Sequence, residues 1–200
     1  AQLCDLYPMK PPNFFGETGL ERMSERRTDK DWLRSVTESA AAVVLPIWQT
    51  RNLIVQQGDT PEAVRVSLTK ISAALSDEAH PIFLGFQNGV PHFAIDLSHI
   101  DDPLALPELS GKGYFTDVRE AGLDLPREDG GLLAYVKALA NWHHTHKFCG
   151  RCGSACEPRD GGHIRECINP NCKAQHFPRT DPAVIMLVSS GDKIILARKK

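Results

Sequence analysis

Cysteine is the residue type with the most chemistry to offer in this sequence. Cys149, Cys152, Cys156, Cys167 and Cys172 crowd one short segment, and Cys4 stands alone near the N-terminus. Cys149-Gly150-Arg151-Cys152-Gly153 has the two-residue gap of a metal knuckle, in which two thiolates grip one ion and nearby backbone N–H groups bond to the sulfurs. Gly153 supplies backbone freedom for the tight turn behind the second sulfur. Cys167 and Cys172 form the second pair, and Asn169-Pro170-Asn171 lies inside their longer gap. Four thiolates suit tetrahedral Zn2+, and a site closed by four protein ligands is structural rather than catalytic. Cys156, His163 and His176 are each near enough in sequence to replace one ligand, and a disulfide or redox pair is a further reading. Clustering, as opposed to a spread framework, favours metal. Cys4 reads as an isolated, inert thiol.

Such a segment needs elements to hold it. A short helix is expected over 31–39 and strands over 43–48 and 53–56. The strongest helix signal covers 60–75: Thr60 can cap, Pro61 suits the first helical position, and Val64, Leu68, Ile71 and Leu75 share one face. A hairpin is expected from 82–86 and 91–95, because Asn88-Gly89 between them tolerates the positive φ of a tight turn. A further strand falls at 114–118. Pro126 and Gly130-Gly131 punctuate the chain before a helix over 132–146, with Leu132, Val136, Leu139, Ala140 and His143 along one side. Trp142 reads as core, and His143, His144 and His146 as a helix face rather than a metal site. The two cysteine pairs are expected to be joined by a short hairpin. A strand over 183–188 turns at 189–192 and returns at 194–197. Residues 1–30, with Pro8, Pro11, Pro12 and Glu25-Arg26-Arg27, read as arm and loop.

Composition removes several classes. The 200 residues suffice for a domain with a real core. The net charge of −2 argues against a general polyanion binder and so against DNA as a partner. The apolar stretch from Ala40 to Trp48 is too short to span a bilayer and contains Pro46, so no membrane association is expected. No charged-then-apolar leader pattern opens the chain, which with its cysteine usage suggests a cytoplasmic location.

His146-Lys147-Phe148 leading into the first knuckle, then the second cysteine pair, then His176-Phe177-Pro178-Arg179-Thr180-Asp181-Pro182-Ala183-Val184-Ile185-Met186 resemble the zinc ribbon and following junction of the NADH pyrophosphatase family of Nudix hydrolases. Weaker resemblance runs upstream through Leu20-Glu21-Arg22, the hairpin near Gly85, and Val118-Arg119. It implies an α+β chain in three parts: an N-terminal Nudix-like domain over 1–146 with an arm over 1–30, a Cys4 zinc ribbon over 147–178, and over 179–200 the first β-hairpin of a catalytic Nudix domain.

The resemblance also implies cleavage of the pyrophosphate of NADH or NAD into nicotinamide mononucleotide and AMP, NAD-capped RNA as a further substrate, Mg2+ or Mn2+ as catalytic ions, and a homodimer. Phe177 matches an aromatic that stacks on the nicotinamide, and Arg119 an arginine near the substrate. The family's acidic residue between the knuckles is replaced here by Gly162. The family's catalytic box, G-x5-E-x7-R-E-U-x-E-E-x-G-U with U aliphatic, is absent. Arg119-Glu120-Ala121-Gly122-Leu123 imitates only its end, with Phe115 and Thr116 where Arg-Glu should stand. No catalytic residue is therefore expected in this chain, the ligands of the catalytic ions are expected beyond Lys200, and the chain alone is expected to be inactive. Two other readings share the same residues. One is a dimerisation scaffold without chemistry. The other is a nucleic-acid-binding ribbon, disfavoured because Glu157, Asp160 and Glu166 interleave Arg151, Arg159, Arg165 and Lys173.

Overall fold

The computed structural model describes residues 13–75, 80–181 and 186–197. Cys4 and Pro182–Ile185, the start of the expected strand over 183–188, lie outside the described residues. Helix α1 (Lys30–Thr37) is followed by strands β1 (Val43–Trp48), β2 (Arg51–Gln57), β3 (Thr60–Ala63) and β4 (Val66–Ser67), then helix α2 (Leu68–Ala74), strands β5 (Ile82–Gln87), β6 (Val90–Asp96) and β7 (Tyr114–Thr116), and helices α3 (Val118–Ala121) and α4 (Arg127–Thr145). The strands form one mixed sheet in the order β3-β2-β1-β6-β5, with β4 also paired to β1 and β7 to β2. The central β1–β6 pair is parallel.

Alternation along each strand sends apolar side chains to both faces. Leu45, Ile47 and Ile54 pack with Leu132, Val136 and Leu139 of α4. On the opposite face Val44, Leu53, Phe83 and Phe93 pack with Val36 of α1 and with Leu68 and Ile71 of α2. The Asn88-Gly89 turn has positive φ at both residues, as its composition requires.

Three expectations are corrected. The first is the helix over 60–75, which begins only at Leu68. Pro61 belongs to edge strand β3, where a missing N–H costs no ladder bond, and pairs with Gln56. Asp129, buried in the first turn of α4, accepts the Ala63 N–H at 2.8 Å and pairs with Arg65 at 2.6 Å, holding the break between β3 and β4. Val64, Leu68 and Ile71 are nonetheless buried, so the apolar spacing located core without specifying its geometry.

Second, α4 runs through Gly130-Gly131 instead of starting after them. A Cβ on Gly131 would fall inside the Glu17 carbonyl, and one on Gly130 would lie 2.6 Å from the Phe14 ring, so these glycines let the 14–17 segment lie on the helix. That segment is part of the expected arm, which is tied down further by reciprocal backbone bonds between Glu21 and Phe86.

Third, the strand expected over 114–118 stops at Thr116, because the Asp117 side chain accepts the Arg119 N–H at 2.9 Å and caps α3.

Beyond α4 the chain forms a small separate sheet, β8 (Cys156–Arg159), β9 (Ile164–Cys167) and β10 (Gln175–His176), in the order β10-β9-β8. It abuts the first domain along a seam made by two histidines. His163 Nε2 donates to the Phe83 carbonyl at 2.7 Å. His143 Nε2 donates to the Gly162 carbonyl at 2.6 Å, while its Nδ1 accepts from Arg165 at 3.1 Å. Gly161 and Gly162 both have positive φ, and Cβ atoms there would crowd Phe83 and Ile82 at about 3 Å. Gly162, the position where the resemblance leads one to expect an acidic residue, has φ +89° and would bring a Cβ to 3.0 Å from the Ile82 side chain. Burial lowers the pKa of both histidines, and that of His163 falls to about 4. The turn expected at 189–192 tightens to Gly191-Asp192 between β11 (Ser189–Ser190) and β12 (Lys193–Ile194). Met186, Leu187, Ile195 and Leu196 are exposed.

Gly131→Ala should cost about 3 kcal/mol through overpacking against backbone, and Gly130→Ala less, because the Phe14 ring can swing aside. Urea midpoints of the two variants check the order. Between pH 6.5 and about 4 the unfolded chain takes up a proton that folded His163 refuses. Stability is thus intact above pH 6.5, falls by on the order of 2–3 kcal/mol as pH drops through that window, and changes no further on this account below it. The slope of unfolding free energy against pH should flatten in His163→Gln, and an unchanged slope would remove His163 from the account.

Candidate metal centre

The cysteine segment begins where α4 ends, so a rigid 19-residue helix delivers its first knuckle. Gly153 N–H donates to the Cys149 carbonyl at 2.8 Å and Cys149 N–H to the Ser154 carbonyl at 2.7 Å, closing a tight loop in which Gly153 takes φ +77°. The second knuckle is built by Asn169. Its backbone carbonyl accepts the N–H groups of Cys172 and Lys173, and its side chain accepts that of Asn171 at 3.0 Å. β8 and β9 form the hairpin expected between the pairs, and their register sets Cys156 opposite Cys167.

These loops bring the Sγ atoms of Cys149, Cys152, Cys167 and Cys172 within 4.8 Å of one another. Cys149 and Cys172 are 3.9 Å apart, and Cys152 and Cys167 3.4 Å. Sulfurs at the corners of a zinc tetrahedron with Zn–S near 2.3 Å would stand about 3.8 Å apart, so the cluster has the dimensions of such a site. The Arg151 N–H points at the Cys149 sulfur at 3.4 Å, and Asn169 Nδ2 at the Cys152 sulfur at 3.8 Å. The four thiols do not share one environment. Burial opposes ionisation of Cys149, but bonds from Arg151 and His176 outweigh it and bring its pKa down to about 6. Cys152 is lowered by Ser154. Burial pushes Cys167 up to about 12, and Cys172 is raised although the Ala174 N–H acts the other way. A cation would override this split, since it lowers every thiol it binds.

Of the three sequence competitors, His163 is committed to the seam. Cys156 and His176 are near: together with Cys149 they form a second group within 4.8 Å, and His176 Nε2 is 3.3 Å from the Cys149 sulfur. Burial raises the Cys156 thiol. Among the described residues, His143, His144 and His146 join no such group.

Phe177 follows β10 directly and is 57% exposed. Arg119, in the single turn of α3, has a side chain 80% exposed and faces Asp117 at 3.4 Å. Lys137, at 2.5 Å, is the stronger partner of Asp117 and holds its carboxyl far below the usual range. The segment imitating the end of the Nudix box spans this one-turn helix and the turn after it, and its Glu120 accepts from Thr116 at 2.9 Å. The seam histidines were missed by sequence reasoning, and nothing in their spacing could have signalled a main-chain carbonyl as partner.

Comparison with known proteins follows the same division of the chain. Residues 41–142 match the NADH pyrophosphatase-like rudimentary NUDIX domain, and residues 144–177 the NADH pyrophosphatase zinc ribbon domain. The human NAD-capped RNA hydrolase NUDT12 is 29% identical across 94% of this chain and 49% of its own length. The NAD-capped RNA hydrolase NudC of Stutzerimonas stutzeri is 36% identical across 58% of this chain and 38% of its own. The human mitochondrial NAD(P)H pyrophosphatase NUDT13 is 35% identical across 54% of this chain and 32% of its own. The chain thus spans half or less of each of these relatives.

Proposed function

The chain belongs to the NADH pyrophosphatase family of Nudix proteins, and from that premise we propose that it forms the N-terminal and zinc-ribbon part of a hydrolase cleaving the pyrophosphate of NADH or NAD. NAD-capped RNA is a second substrate in this reading, and the protein acts as a cytoplasmic homodimer. The observation that carries it is the adjacency of the two matched family domains, the second of which contains the convergent cysteine cluster. The proposed division is 1–146 for the Nudix-like domain, 147–178 for the ribbon and 179–200 for the start of a second Nudix domain.

Cys149, Cys152, Cys167 and Cys172 are the proposed zinc ligands. Cys156 stays a thiol beside them, and His176 donates to the Cys149 sulfur. A closed tetrahedral site leaves no position for water or phosphate, so this zinc organises the ribbon and does not catalyse. Hydrolysis of a dinucleotide needs hard divalent ions, Mg2+ or Mn2+, which neutralise the pyrophosphate and orient the attacking water. Such ions take oxygen ligands, which the family's catalytic box supplies as carboxylates on one helix face. These 200 residues offer no such set, so the ligands of the ions are proposed to come from sequence other than this. In this reading Phe177, which is exposed, stacks on the nicotinamide ring. Arg119 could leave Asp117, which keeps Lys137, to hold a non-reacting part of the substrate.

Elemental analysis should find one zinc per chain. Serine at any of Cys149, Cys152, Cys167 or Cys172 should abolish it, whereas Cys156→Ser and Cys4→Ser should keep it. Zinc lost in Cys156→Ser would reassign the ligand set. For the activity, the chain is incubated with NADH and Mg2+ or Mn2+ and the release of AMP is followed, in parallel with a longer protein in which a catalytic Nudix domain follows these residues, and with the Phe177→Ala variant of that protein. We expect no AMP from the 200 residues, AMP from the longer protein, and dinucleotide binding weaker by about 1–3 kcal/mol in the variant. No AMP from the longer protein would overturn the hydrolase reading. AMP from the short chain would mean that it contains catalytic groups of its own.

A further inference from the structure

A furrow follows the seam between the first domain and the ribbon. Its central cavity, about 320 Å³, opens between the end of β6, α4 and Arg165 of β9. It shares Asp96, Ser98, Ala140 and His144 with a neighbouring cavity of about 330 Å³. On the other side it shares His80, Ile82 and His143 with one of about 420 Å³ that reaches Lys30.

The lining of the central cavity reverses the sign of the chain. The whole sequence carries a net −2, yet among the described residues the cavity is lined by four histidines, Lys147 and Arg165 with one carboxylate, that of Asp96. Asp96 Oδ1 is already engaged by the Ser98 N–H and hydroxyl at 2.9 and 2.5 Å. Arg165 is 8% exposed, and its two terminal nitrogens reach only neutral acceptors: His143 Nδ1 and the Cys156 carbonyl. Among the described residues its Nε is buried without a hydrogen-bond partner. A buried guanidinium without a counter-ion is costly. His80, His99, His144 and Lys147 stand exposed around the same cavity, and among the described residues their side chains have no hydrogen bond or ion pair. Donors held apart from acids, around a space of this size, are what an oxyanion lacks when free and gains when bound.

We propose that this cavity binds a phosphate-type dianion. Lys147, His144, His99 and His80 supply its hydrogen bonds, and the charge of Arg165 beneath is offset by it. The ligand is either a free phosphate or the phosphate of a nucleotide or RNA strand. This binding is separate from pyrophosphate cleavage, since the described lining residues include no group of acids to hold a catalytic ion, and it does not depend on the hydrolase reading.

The test is titration of the zinc-loaded chain with inorganic phosphate, adenosine monophosphate and a short oligoribonucleotide at constant ionic strength, read by calorimetry and amide NMR shifts. Saturable binding of phosphate, with shifts centred on His99, His144 and Lys147, is the expected result. Lys147→Met and His144→Gln should each weaken it about tenfold, the worth of one charge-assisted contact. Asp96→Asn should tighten it, which a merely structural role for the furrow would not produce. Unchanged zinc content and melting temperature in the exposed Lys147 and His144 variants separate loss of binding from loss of fold. Equal affinity for the three probes identifies a site for the bare anion, and tighter oligoribonucleotide or nucleotide binding, still lost in the variants, identifies the larger source. No saturable binding of any probe, or binding indifferent to Lys147→Met and His144→Gln, would overturn the proposal.

Discussion

Two imidazoles that stay neutral hold the chain in one arrangement. His163 must carry its proton on Nε2 to reach the Phe83 carbonyl, and His143 must carry its own on Nε2 to reach Gly162 while leaving Nδ1 free for Arg165. Each bond needs the uncharged ring, because a second proton would put charge into a site that burial already penalises. The orientation of the ribbon follows from these bonds. So does the place where the cysteine cluster stands relative to the sheet, since His143 is in α4 and Arg165 in β9 next to Glu166 and Cys167. A rotation of the ribbon would break a neutral bond on one side and strand a guanidinium on the other.

The same seam explains residues that look unremarkable singly. Gly161 and Gly162 lack side chains where Phe83 and Ile82 come closest. Phe83 is fully buried and packs edge-on to Trp32 and Phe93, so its carbonyl is held as firmly as its ring. The ribbon is thereby docked on a fully buried part of the first domain. The ribbon segment keeps Phe148, Ile168 and Phe177 exposed.

What could be read from sequence divides by the distance over which each constraint acts. The knuckles were legible because two sulfurs on one ion fix a local spacing, and the Asn88-Gly89 turn because positive φ narrows the choice of residue. The 60–75 segment was misread because its apolar spacing fits a helix, while the decision was made by Asp129, far along the chain. Gly130-Gly131 looked like punctuation since nothing near them in sequence reveals that Glu17 and Phe14 must pass there. The histidine bonds were illegible for the same reason: a carbonyl has no letter of its own. Family resemblance recovered the ribbon and the Nudix-like domain, where the motif is local.

The parallel pairing of β1 with β6 has a consequence for how the molecule is made. Joining residues 43–47 to 92–96 closes a long loop before any of that sheet's central contacts form, and β5 depends on β6 in turn. The ribbon's hairpin and knuckles join residues close along the chain. Rates of folding fall as contacts become less local. The first domain is therefore the slow step, although it leaves a ribosome first, and the ribbon can assemble quickly behind it. Its docking surface at Phe83 exists only once the slow sheet is complete, so the seam forms last and records that both halves have folded.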